Sequence, residues 1–246
     1  GVAEKAGIPS SSFTEWRMNS YYVRGNYSFD SKYLLTATGR YDGSSVFGKN
    51  NRYAFFPSMA LAWVVKNEDF LQSVNAISNL KLRASIGQNG NAGIGAYSTL
   101  ATIANTNVVF GDKEISKGMV QSGMPNADLK WETTTQYDFG VDVGFLDNRI
   151  MAELDWYWRD TKDLLLGKPV SYITGYGSVM ANIGQIRNRG FEFTLNTHNI
   201  KGKDFNWYST LLFSMNRNKV VKLTDDHSDI WDGGFIGIKY RNGHPS

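Results

Sequence analysis

Cysteine is absent from the 246 residues, histidine occurs 3 times and proline 5 times. The first absence removes disulfides, thiolate metal sites and cysteine nucleophiles. His198, His227 and His244 have no partner at metal-ligand spacing, so no metal centre is expected. No run of about 18 apolar residues exists, which excludes a transmembrane helix. A surplus of one charge is lacking too. The 26 basic and 23 acidic residues leave a net charge of +3, and no polyanion such as nucleic acid is implied as a partner.

Aromatics, by contrast, make up 14% of the chain, and 25 glycines far outnumber the prolines. Apolar residues recur at every second position, the period of a strand with one apolar face. Tyr21, Val23, Tyr27 and Phe29 alternate with Ser20, Arg24, Asn26 and Ser28. Tyr33, Leu35, Ala37 and Tyr41 follow, then Tyr53, Phe55, Met59, Leu61 and Trp63, then Leu80, Leu82, Ala84 and Ile86. Cleaner alternation runs through Tyr137–Phe145, Ile150–Trp158, Phe191–Leu195 and Phe205–Met215. These segments predict about eight antiparallel strands in an all-β chain, many as long as the ~10 residues that a tilted strand needs to cross a bilayer.

The connections alternate as well. Phe29–Lys32, Asp147–Arg149 and His198–Asp204 are short, and 66–78 reads as one or two helical turns. Between them fall long loops at Asp42–Arg52, Gln88–Lys130 and Thr161–Arg187, and a tail from Lys219 onward. Short connections on one side and long ones on the other characterise an outer-membrane barrel. Aromatics near strand ends strengthen the expectation of two interfacial girdles. Trp156, Trp158, Tyr53, Tyr41 and Trp131 are assigned to the loop side, and Phe29, Tyr33 and Phe145 to the turn side.

Several stretches imitate catalytic motifs and fail on inspection. Gly43, Gly48 and Lys49 have the spacing of a phosphate loop, but Asn50 stands where a hydroxyl should bind magnesium. A strand pattern containing Pro57 follows, not the helix whose amides would hold phosphate. The stretch is predicted to be a hairpin loop. Gly87–Gly95 contains no dinucleotide fingerprint and reads as the start of a flexible loop. Asp225, Asp226 and Asp229 read as a solvated cluster. Glu132, Asp138, Asp142, Glu153, Asp155 and Glu192 share the polar strand face with Arg40, Arg83 and Arg159, as ion pairs lining a wet interior would. No catalytic set emerges.

Specific blocks carry a family resemblance. "LLTATGRYDGSSVFGKNNRYAFFPSMALAWVVKNEDFL", "ISNLKLRASIGQNGNAGIGAYS", "LKWETTTQYDFGVDVGFLDNRI", "ANIGQIRNRGFEFTLN" and the closing "RNGHPS" resemble the SusC/RagA family of TonB-linked outer-membrane transporters, in order from about Trp16 onward. The resemblance implies a segment of a plugged barrel of ~22 strands. It implies outer-membrane import of oligosaccharides or peptides, with no enzymatic activity and no cofactor. A SusD-like surface lipoprotein and the TonB–ExbB–ExbD system would be partners, with membrane lipid and lipopolysaccharide around the wall. Relative to that pattern the plug domain, TonB box and final strand are not among these residues. The chain is therefore expected to divide into a loop (1–15), strands and connections (16–217) and an extracellular loop (218–246). Asn89, Asn91, Tyr97, Tyr172, Tyr176 and Trp231, on the long-loop side, are the candidate ligand contacts, since amides supply directional hydrogen bonds and aromatic rings flat apolar faces. Two other readings compete: a small complete eight-stranded barrel acting as an adhesin or structural protein, and a soluble carbohydrate-binding β-sandwich.

Overall fold

The computed structural model describes residues 11–110, 114–224, 230–232 and 238–240. Fourteen strands occur among these residues: β1 (Met18–Phe29), β2 (Tyr33–Ser44), β3 (Tyr53–Val64), β4 (Ile77–Asn91), β5 (Thr102–Phe110), β6 (Glu114–Gly123), β7 (Glu132–Phe145), β8 (Ile150–Lys162), β9 (Leu165–Pro169), β10 (Ser178–Asn182), β11 (Gln185–Lys201), β12 (Asn206–Lys222), β13 (Ile230–Asp232) and β14 (Ile238–Tyr240). A 3-10 turn (Val65–Asn67) and the single-turn helix α1 (Asp69–Gln72) connect β3 to β4. His227, His244, Asp225, Asp226 and Asp229 lie outside the described residues.

Eight strands form one antiparallel sheet in the order β1-β2-β3-β4-β7-β8-β11-β12. They are 12 to 17 residues long, far above the ~5–6 of an ordinary soluble strand. The remaining pairs, β5–β6, β9–β10 and β13–β14, are separate two-stranded ribbons. Among the described residues no second large sheet covers the first, which argues against the sandwich. The edges β1 and β12 do not pair with each other, which argues against a closed eight-stranded barrel.

Because side chains alternate at period 2, pairing in register puts every apolar residue on the same face. One transverse row passes through all eight strands as Tyr27, Leu35, Leu61, Ala84, Phe139, Trp156, Phe191 and Met215. Large members of that face are exposed, including Tyr27, Leu61, Phe139, Trp156 and Met215. An exposed apolar face of this extent would be an aggregation hazard in water and suits hydrocarbon. Bulges at Ile77/Asn79 and His198/Ile200 shift the register locally.

The turns follow from local chemistry. Asp30 and Ser31 both have φ of 51°, with Lys32 N–H bonded to the Phe29 carbonyl at 3.0 Å. Between β7 and β8 three successive residues, Leu146, Asp147 and Asn148, have φ of 52°, 54° and 59°, and Arg149 N–H bonds to the Leu146 carbonyl at 3.1 Å. Both connections are short turns through the left-handed region, which Asp and Asn tolerate. At the same end, Glu68 clamps the β2–β3 corner. It accepts bonds from the Tyr33 hydroxyl (2.7 Å) and Trp63 Nε1 (3.0 Å), and Lys32 Nζ lies 3.3 Å from its other oxygen.

Some expectations are corrected. Gln88–Lys130 is not one loop: β4 runs on to Asn91, replacing the predicted flexible start at Gly87, and the β5–β6 hairpin rises from the rest. Thr161–Arg187 likewise holds the β9–β10 hairpin, and β12 continues to Lys222, past the expected boundary at 217. Polar, glycine-rich sequence obscured these strands because their hydrogen bonding does not require an apolar face. Trp156 lies at mid-strand, opposite Phe139 and Phe191, and not near a loop-side terminus. Trp131 is buried (4% exposed) and joins no girdle. The pairs Tyr41–Tyr53, stacked at 5.2 Å on the loop side, and Tyr33–Trp63, at 6.3 Å on the turn side, do occupy the two expected levels. A further feature was not foreseen. The β2–β3 ladder runs up to Tyr53, but the β3–β4 ladder stops at Ser58–Gly87, just where Pro57 brings no N–H to donate.

Two outcomes follow for the full-length protein. Val141 lies in an outward row with Leu154 and Phe193, whereas Glu192 faces inward opposite Asp155. Val141→Arg should cost on the order of 2–4 kcal/mol in membrane unfolding titrations. Glu192→Arg, which gains Asp155 as a partner, should cost far less, and equal costs would refute the assignment of faces. The Glu68 carboxyl is held below the ordinary carboxylate range by the bonds from Tyr33 first and Trp63 second. A depressed carboxyl stabilises the fold above its unfolded pKa and loses that contribution as pH falls through the folded value. Amide protection at 65–76, measured against the intrinsic exchange rate at each pH, should therefore fall as the pH drops through the acid range. Glu68→Gln should show low protection already at neutral pH, with little further change on acidification.

Candidate functional site: a polar concavity under a small loop core

The inward face of the sheet carries the complementary chemistry. Arg83 donates to Asp142 from Nε (3.0 Å) and NH2 (2.7 Å), and its NH1 lies 3.0 Å from Asp155. Gly140 lies between them, where a Cβ would come within 2.6 Å of the guanidinium carbon, so a side chain there would push the Arg83 head group aside. Higher up the wall, Arg159 Nε donates to Gln136 (2.9 Å), and Gln136 and Ser85 donate to Asp138 (2.7 and 2.9 Å). Arg40 is held by the buried Asp42 at 2.7 Å. These bonds satisfy the charges among themselves, as a wet interior wall requires.

Above Ser85 the wall recedes into a concavity of about 560 Å³. Its sides come from β1 (Arg24), β2 (Thr36, Thr38, Arg40), β3 (Ser58), β4 (Ser85, Asn89) and β7 (Gln136, Asp138), with the Phe56 ring at its upper end. It sits beside the stretch where β3 and β4 have parted above Ser58. Hydroxyls, amides and both charge signs converge there around little apolar surface. That inventory suits a polar ligand rich in hydroxyl or amide groups, and supplies no nucleophile–base pair. Among the described residues no three metal-ligating side chains gather.

Phe56 also belongs to the core above. Val46, Phe47, Phe56, Leu129 and Trp131 form a buried cluster, with Ala54, Ala92, Ile94, Leu165 and Met180 packed on it. The Phe47 and Phe56 rings lie 5.1 and 5.6 Å from Trp131. Polar bonds stitch the connections together around it. Trp131 Nε1 donates to the Arg52 carbonyl (3.2 Å), Asn51 to the Asp128 carbonyl (2.9 Å), and Asn182 to the Lys130 carbonyl (2.7 Å). The stretch resembling a phosphate loop is thus a folded hairpin loop, with Phe47 as its anchor. Sequence reading missed this core. Its signal was Val46-Phe47, two apolar residues inside a polar, glycine-rich loop, and the isolated Leu129-Lys130-Trp131.

The candidate contacts do not converge. Asn89 is exposed and lines the concavity. Asn91, near the same strand end, lies 3.4 Å from Glu132. Tyr97 adopts a φ of 69° and lines a separate shallow groove with Trp16 and Arg17, its hydroxyl 3.4 Å from the Glu15 amide. Tyr172 and Tyr176 belong to the β9–β10 connection, where Tyr176 is half-buried. Trp231 is in β13, which pairs with β14.

The sequence matches the family described as TonB dependent receptor-like, beta-barrel, over residues 4–241. It is 45% identical to TonB-dependent receptor P3 of Formosa agariphila across 88% of this chain and 22% of that protein. It is 42% identical to TonB-dependent receptor SusC of Bacteroides thetaiotaomicron across 86% of this chain and 22% of the other. The chain thus spans about a fifth of the length of these relatives. Among solved structures, the RagAB peptide transporter superposes with a TM-score of 0.81 at 33% identity, covering 93% of this chain and 25% of that one.

The loop core should be testable apart from the wall. Phe47→Ala is expected to cost roughly 3–5 kcal/mol of local stability. Gly90→Val, whose side chain would collide with the Phe56 ring, should loosen the same region. Limited proteolysis should then cut within 42–52 and 124–131 while the eight wall strands stay protected. Simultaneous loss of the strands would show that the loops have no core of their own.

Proposed function

Because this chain belongs to the TonB dependent receptor-like β-barrel family, we propose that it forms part of the wall and extracellular loops of an outer-membrane importer in a Gram-negative bacterium. The observation that carries this reading is the division of one eight-stranded sheet into an exposed apolar face and an inward face of paired charges and amides. Lipid suits the first face and a hydrated passage the second. The substrate is an oligosaccharide or a peptide. The concavity offers many hydroxyl and amide groups and two guanidiniums, which favour a ligand dense in hydrogen-bonding groups. The RagAB likeness supports a peptide, and the hydroxyl- and amide-rich lining suits an oligosaccharide as well. Import depends on the TonB–ExbB–ExbD system, and a SusD-like lipoprotein covers the loop side. Chemistry is not part of the role, since the relatives are receptors and transporters.

Ligand contacts come from the loop side and upper wall: Asn89, Asn91, Tyr97, Tyr172, Tyr176 and Trp231, with the concavity around Asn89 as the focus. The test uses the full-length receptor with alanine sets at Asn89/Asn91/Tyr97 and at Tyr172/Tyr176/Trp231. Calorimetry against a malto-oligosaccharide and a peptide mixture reads affinity, and surface antibody binding reads expression. Loss of about 1–3 kcal/mol of binding per set with normal expression is expected. Matching changes at Asp147–Arg149 or Lys201–Lys203 should have no effect. Loss from the turn sets alone would reverse the assignment of the two ends.

A further inference from the structure

The outward face of β8, β11 and β12 departs from the apolar pattern at its loop end. Register places Trp158, Arg189 and Arg217 side by side in one row, and Asp160, Arg187 and Lys219 in the next. Arg187 donates to Asp160 from Nε (2.7 Å) and NH2 (3.1 Å). The Arg187 and Arg189 guanidiniums lie 4.7 and 5.1 Å from the Trp158 ring centre, which holds them flat against the wall. Arg189, Arg217 and Lys219 are exposed and form no ion pair among the described residues. Four cations therefore surround one carboxylate, itself engaged by Arg187. Like charges directly opposite on paired strands are destabilising, and Arg189 and Arg217 are such a pair. An anion from outside the chain would turn this repulsion into attraction.

One feature fixes the lower limit of the patch. The row below it, Phe139, Trp156, Phe191 and Met215, is apolar throughout. On these strands the cations begin where the apolar pattern stops. Neighbouring strands lie about 4.8 Å apart, a pitch that lets groups on β11 and β12 share the oxygens of one tetrahedral anion. Guanidinium forks match phosphate in geometry as well as charge.

We infer that Arg189, Arg217 and Lys219, with Arg187 stacked on Trp158, form a docking site for the phosphate groups of an outer-leaflet glycolipid. This rests on the outer-membrane reading above, which turns the loop side of the wall outward. The site lies on the lipid side of the sheet, away from the concavity, and so serves the seating of the wall, not import.

The experiment uses the full-length receptor purified in mild detergent, with the triple variant R189Q/R217Q/K219Q and a control, K201Q/K203Q, that removes charge at the opposite end. Bis-phosphorylated lipid A, its dephosphorylated form, phosphatidylglycerol and inorganic phosphate are titrated separately, and native mass spectrometry counts bound lipid. Wild type and control should retain bis-phosphorylated lipid A, and the triple variant should bind it more weakly by on the order of a hundredfold. Equal binding by the triple variant, or equal binding of the dephosphorylated lipid, overturns the site. Inorganic phosphate or phosphatidylglycerol binding as tightly as lipid A overturns the glycolipid as its occupant. Membrane fractionation of the same cells separates the two levels of the argument. Receptor absent from the outer membrane counts against the proposed function, whereas a correctly placed receptor with an indifferent triple variant defeats this inference alone.

Discussion

Register between neighbouring strands is the constraint from which the other properties follow. A slip of one residue in any of the seven ladders would exchange a strand's apolar and polar faces. The row from Tyr27 to Met215 would then be interrupted and charge would be driven into the apolar surface. Positive-φ turns at Asp30–Ser31 and Asp147–Asn148 fix the register at one end. Cross-strand bonds such as Arg83–Asp142 and Ser85–Asp138 fix it on the inner face. Turn chemistry, alternation and ion pairing all select one alignment, the kind of agreement between levels that marks a well-specified fold.

Much of this was legible in the sequence because its signal is local. Tyr137–Phe145 alternates without interruption, and the strand that holds it spans Glu132–Phe145. The asymmetry of the connections could likewise be counted. The β5–β6 and β9–β10 hairpins were not legible, since 102–123 and 165–182 mix polar and small residues without a sustained period. Their backbones pair with each other and need no apolar side. Trp131 shows a different limit. A tryptophan beside a strand start fits a membrane girdle and a loop core equally well, and only the three-dimensional neighbours Phe47 and Phe56 decide between them.

The candidate site was less legible than the wall, for a physical reason. Choosing exposed amides and aromatics on loops finds groups able to bind, but not the concave surface that makes several of them act together. Among the chosen residues whose side chains are described, Asn89 alone lies on that surface. Its companions, Arg24, Thr36 and Ser58, are ordinary inward strand residues, indistinguishable by sequence from others that line a wet wall. A near-zero net charge concealed the opposite case, because it averages over a face on which Arg189, Arg217 and Lys219 are gathered with no ion-pair partner among the described residues.

Phe56 has a double position. Its ring lines the concavity and at the same time packs in the loop core, 5.6 Å from Trp131. A side chain held in a packed cluster has little freedom to change rotamer. One wall of the concavity is therefore as stiff as the loop core itself, and whatever loosens Val46, Phe47 or Leu129 also deforms the hollow below them.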